Sequence, residues 1–168
     1  MRISIPSVKS FCIPLVFVLA LGGGRDAGAT VRVATSLPEL ASDAFAIARG
    51  VVTATRGQWT DDHRMIETVV TLDVETYLKG RLGSTVLFRT VGGTLGRYRN
   101  VVVGAPQFAV GQHVVVFLAA RGPAVPHVLG MGDGVFRLAP SASGGWIVRG
   151  APLALFEQRV RLLVAGQR

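Results

Sequence analysis

The run His113-Val114-Val115-Val116-Phe117-Leu118-Ala119-Ala120 constrains the fold more than any other segment. An apolar stretch of strand length without polar alternation needs cover on both faces. The chain must therefore supply a layer on each side of this strand, which belongs at the centre of the core. Other segments have the periodicity to provide that cover. Ile66, Thr68, Val70, Leu72 and Val74 alternate with Glu67, Thr71, Asp73 and Glu75, the period of a half-buried strand. Two further runs rich in β-branched residues, Phe45 to Thr55 and Thr85 to Val91, flank it across turn-rich segments at Gly57 to His63 and Lys79 to Ser84. The first pair reads as a long hairpin. His127 to Leu138 reads as one strand broken by the glycines between Gly130 and Gly134, and Trp146 to Arg149 closes a second hairpin with it.

Two segments have helical signatures. Ser36-Leu37-Pro38-Glu39 is a capping box with proline in the first turn, predicting a short helix to about Ser42. Pro152 opens a second, with Leu153, Phe156, Val160 and Leu163 at spacings of three and four, an apolar stripe fitted to dock on the strands. The pattern predicts a mainly β fold: a small five- to six-stranded OB-like barrel with a short N-terminal helix and a C-terminal amphipathic helix. A sandwich would call for about seven strands and no helices.

The N-terminus reads as an export signal. Arg2 and Lys9 precede an apolar run from Phe11 to Leu21, and Ala27-Gly28-Ala29 is a small-x-small cleavage site. Residues 1–29 are expected to be a secretory signal peptide and residues 30–168 a single exported domain, periplasmic or extracellular. Eleven apolar residues fall short of the ~20 that span a bilayer. The sole cysteine, Cys12, lies within that segment, so the exported domain has no thiol for a disulfide, a nucleophile or a metal. Without Arg2, Lys9, Arg25 and Asp26, the 18 basic and 10 acidic residues become 15 and 9, a net charge of +6. That charge admits an anionic polymer or lipid surface as partner.

Gly92 to Gln107 is longer than most connections in a compact domain, which run to about 4–6 residues. It must fold on itself or act, and Val101-Val102-Val103 within it is expected to pair as an edge strand. Arg97, Tyr98 and Arg99 make it the first candidate binding segment. The second is the hairpin loop with Trp59, Asp61, Asp62 and His63. Three consecutive polar residues rarely converge on one ion, because neighbouring side chains in extended backbone point apart. No serine lies in a nucleophile elbow and neither glycine-rich stretch continues as a phosphate loop. No catalytic residue, metal ligand or cofactor is therefore expected. Trp59, Tyr77, Tyr98 and Trp146 are the aromatics that base stacking would use, but aromatics are 7% and the export signal argues against nucleic acid.

Three stretches carry a resemblance: Phe45 to Val52; Thr71 to Gly80, ending Leu-Lys-Gly; and Phe108 to Leu118, which reads Phe-x-x-Gly-x-x-Val-x-x-Phe-Leu. In this order they resemble the barrel of the netrin-module and tissue-inhibitor-of-metalloproteinases group, an OB-type fold, over roughly Leu37 to Leu138. The same pattern is similar to a set of uncharacterised exported bacterial proteins. The resemblance implies a barrel filled by Phe108 and Phe117. It does not carry over protease inhibition through an N-terminal cysteine, which a chain starting at Thr30 lacks. The expected function is a non-enzymatic protein-interaction module directed at an envelope or secreted protein such as a protease. The alternative is a small hydrolase or ligand-binding enzyme using Asp61, Asp62 and His63.

Overall fold

A computed structural model describes residues 34–166 apart from Arg121 and Pro123; the expected signal peptide lies outside the described residues. Helix α1 (Leu37–Asp43) begins at the capping box: the Glu39 amide donates to Ser36 Oγ, and the Ser36 amide donates to Glu39 Oε2 at 2.9 Å. Ten strands follow: β1 (Ala46–Trp59), β2 (Ile66–Lys79), β3 (Thr85–Val91), β4 (Gly93–Leu95), β5 (Tyr98–Asn100), β6 (His113–Ala119), β7 (His127–Val128), β8 (Val135–Pro140), β9 (Trp146–Val148) and β10 (Ala151–Pro152). Helix α2 (Leu153–Ala165) ends the described chain.

Five strands close into a barrel in the order β1-β2-β3-β7-β6 and back to β1. Every pairing in the ring is antiparallel except β3 with β7, which is parallel at Arg89 and His127. A five-stranded barrel with this circuit is OB-like, and the predicted fold class holds. β7 and β8 lie in succession along the same edge of β6, separated by a 3-10 turn at Met131–Gly134. The expected broken strand is this pair. Its first half stays in the barrel, and its second leaves to pair with β9, which in turn pairs with β10.

Strand β6 is covered on both faces, as its sequence requires. Val114, Val116 and Leu118 pack inside the barrel with Val52, Val70, Leu72, Val86 and Phe88. Val115 and Phe117 face the other way, into a second core with Leu40 of α1, Phe136 and Leu138 of β8, and Leu153 and Val160 of α2. The apolar stripe of α2 docks on the outside of the barrel wall, with Phe136 and Phe156 rings 4.7 Å apart.

Three expectations need correction. Phe117, expected to fill the barrel with Phe108, lies in the second core instead, because it alternates with Val116 and Leu118 on β6. Gly57, Gln58 and Trp59 are the end of β1 rather than loop, because Gln58 pairs with Glu67 and Trp59 with Ile66. Val101 to Val103 forms no strand; the pairing in this segment is β4 with β5 across a two-residue Gly96-Arg97 turn. Gly-x is a favoured two-residue hairpin connection, and it prevails over the β-propensity of the valines. Val103 is 92% exposed.

Candidate functional site

The two candidate segments meet. The β1–β2 hairpin turns at Thr60 to Met65, where the Thr60 amide donates to the Met65 carbonyl and the His63 amide to the Thr60 carbonyl, each at 2.8 Å. Asp62 Oδ1 fastens this turn, accepting from Thr60 Oγ1 at 2.5 Å and from the Arg64 amide at 3.2 Å. The Thr60 hydroxyl first, and the Arg64 amide second, hold the Asp62 carboxyl below its ordinary value. At the base of the hairpin the Trp59 ring meets the Tyr98 ring of β5, centroids 5.6 Å apart and tilted by 57°. Arg97 donates to the Tyr98 hydroxyl at 2.9 Å and sets its guanidinium 5.1 Å from the ring centroid. Trp59, Tyr98 and Arg97 thus belong to one surface made by two hairpins, whereas Arg99, next along β5, turns to the other face. Trp59 and Tyr98 remain 37% and 48% exposed despite their contact.

The acidic loop residues do not converge. Asp62 is taken up by the turn, whereas Asp61 Oδ2 reaches 3.7 Å from Arg89 Nη1 on β3. His63 sits at φ 56°, in the left-handed region of the turn. Among the described residues no group of three His, Asp, Glu or Cys side chains is placed to hold a metal ion.

Sequence reading missed two features. The first is a polar row across the outer face of β1, β2 and β3: Gln58 Nε2 donates to Glu67 Oε1 at 2.8 Å, and Arg89 Nη1 lies 3.1 Å from the same oxygen. The register that pairs Gln58 with Glu67, and sets Arg89 opposite Val69, brings these side chains together. The second is a cleft of about 560 Å³ between the barrel mouth and the β4–β5 hairpin. Thr55, Thr68, Thr90, Arg99, Gln107 and Phe108 are among its lining residues.

Two glycines let the hairpin lie this close. A Cβ on Gly57 would run into the Thr94 carbonyl, and one on Gly93 into the Thr68 hydroxyl. No side chain larger than hydrogen fits at either contact, so Gly57 and Gly93 fix the distance between β4 and the barrel end. Thr68 Oγ1 completes the joint by donating to the Gly92 carbonyl at 2.8 Å.

No family model and no curated protein matches this chain. What the site does must follow from its chemistry. That chemistry is an exposed aromatic pair beside Arg97, with a hydroxyl-lined cleft bordered by Arg99 alongside. No helix among the described residues is long and apolar enough to cross a membrane.

Proposed function

We propose that this protein is an exported, non-enzymatic binding module, acting in the periplasm or outside the cell, that docks another protein through the surface carrying Trp59, Tyr98 and Arg97. The observation that carries this reading is the ring contact between Trp59 and Tyr98, since it turns two separate loops into one contiguous face. Aromatic residues, methionine and arginine are the types enriched where proteins meet. Met65, Val91 and Val101 are large apolar side chains left exposed on the same two hairpins and their connections. The long segments of a rigid barrel are also where binding residues concentrate. The partner class is an envelope or secreted protein, a protease among them, with an acidic group facing Arg97. The resemblance to the netrin-module group agrees with an interaction role.

The test is crosslinking of the tagged protein in intact cells of the native organism, followed by mass spectrometry. A doubly substituted Trp59→Ala, Tyr98→Ala protein and an Arg97→Ala protein serve as controls. One enriched protein, lost in both controls, is the expected result. Enrichment of background proteins alone, or a partner retained by both controls, would overturn the reading.

A further inference from the structure

We propose that the cleft between the barrel mouth and the β4–β5 hairpin is a binding site for a small acidic sugar, a carboxylate or phosphate carried on a polyhydroxylated frame. Its volume of about 560 Å³ lies in the range of small-molecule sites, roughly 300–1,000 Å³. Its lining contains no aspartate or glutamate, while Arg56 and Arg99 both border it. Arg56 is engaged with Gln58 Oε1 at 3.1 Å. The Arg99 guanidinium has no hydrogen bond or ion pair among the described residues, so it remains available to an anion.

The walls supply the complement of hydroxyl groups. Thr55, Thr68, Thr90 and Thr94 come from four different strands, and each hydroxyl both donates and accepts. Thr90 sets one of these hydroxyls at the inner wall of the cleft. It is only 7% exposed, it lines the cleft, and its hydroxyl has no partner among the described residues. The hydroxyl is open to the cleft, where it can donate to and accept from a ligand hydroxyl. Thr68, its cross-strand neighbour, is satisfied by the Gly92 carbonyl, which leaves Thr90 as the group facing an occupant. Phe108 gives the cleft an apolar side against which the C–H face of a sugar ring can lie, its own ring held 5.3 Å from Phe88. Hydroxyls, an apolar side and a free guanidinium together fit an acidic sugar better than a neutral sugar or a hydroxyl-poor acid.

The experiment is calorimetric titration of the protein purified from cells expressing the full sequence, with glucuronate, glucose 6-phosphate, glucose and citrate as separate probes. We expect one of the two acidic sugars to bind with a Kd of about 1 mM or tighter, and the choice between them identifies the acid group. Glucose and citrate should each bind at least about tenfold more weakly. Arg99→Gln, which removes a charge-assisted bond, should weaken the acidic sugar by about tenfold or more. Thr90→Val, which keeps the shape and removes the hydroxyl, should weaken it severalfold, with the melting temperature of each variant confirming that it is folded. Trp59→Ala, Tyr98→Ala should leave this binding intact, so the fate of the protein-docking surface is read separately. The proposal is overturned if neither acidic sugar binds, if glucose or citrate binds as well, or if either cleft variant keeps wild-type affinity.

Discussion

At Ser36 a single hydroxyl and its own amide govern both the start of α1 and the charge of Glu39. The Ser36 amide, and next its hydroxyl, hold the Glu39 carboxyl below its ordinary value of 4.5. A carboxyl lowered on folding stabilises the fold above its unfolded value, and that contribution is lost as pH falls through the lowered folded value. Melting temperatures of the wild type should therefore contain an acid-side loss below about pH 4.5 that Ser36→Ala reduces but does not abolish, since the alanine keeps the backbone amide; loss of the N-cap hydroxyl itself should cost about 1 kcal/mol at neutral pH. An unchanged acid limb in Ser36→Ala would refute the assignment. A different constraint acts at Gly57, where the obstacle is the Thr94 backbone and cannot rotate aside. Gly57→Ala should cost about 1–3 kcal/mol by denaturant unfolding. It should also shift the amide resonances of β4 and β5 far more than those of β6, because the strain is released by moving the hairpin.

At the scale of elements, the chain ties its helices to the barrel with long-range charged contacts. Lys79, at the end of β2, donates from Nζ to the carbonyls of Ala41 and Ser42 at 2.8 Å each, which closes the C-terminus of α1 with a cation. Lys79→Met keeps most of the aliphatic stem, and is expected to lose about 1–2 kcal/mol of stability and to increase hydrogen exchange in α1. Arg49 performs the corresponding task for α2. It lies 2.6 Å from the nearly buried Glu157 and 3.0 Å from Glu75. Removing Arg49 alone leaves Glu157 with only Arg161, so Arg49→Leu should cost about 2 kcal/mol, less than for a fully buried pair because Arg49 is partly exposed. Adding Glu157→Leu should recover much of that loss. These ties also show what was legible beforehand. β3, β6 and the α1 cap are written in contiguous residues, and each was readable from local pattern. The Lys79 cap joins residues nearly forty positions apart, and the β4–β5 hairpin consists of two three-residue strands too short to show a period. Trp59 and Tyr98 were readable as candidates, but only as members of separate loops, since their contact depends on where the hairpin folds back. Thr90 has the local pattern of an ordinary strand residue, and only the fold places it in the cleft lining.

At the scale of the whole molecule, β6 makes the two cores mechanically one. Val114, Val116 and Leu118 fill the barrel while Val115 and Phe117 anchor the helical layer, so neither core loses its order without disturbing the strand that bounds the other. The described domain should therefore unfold in a single cooperative step. The probes for this are already in place. Trp146 stacks on His113 with ring centroids 4.2 Å apart, at the β6 end next to β9, whereas far-UV circular dichroism reports mainly the barrel strands. The sequence has two tryptophans, so a Trp59→Phe background leaves Trp146 as the only one. In that background the urea midpoints from fluorescence and circular dichroism should coincide. Phe117 is fully buried, and Phe117→Ala should lower stability by about 3–5 kcal/mol. That loss should move both midpoints together, although the cavity opens only on the helical side. If Trp146 reports a transition at lower urea than the strands do, in the wild-type core or in Phe117→Ala, the helical layer separates from an intact barrel and β6 does not couple them.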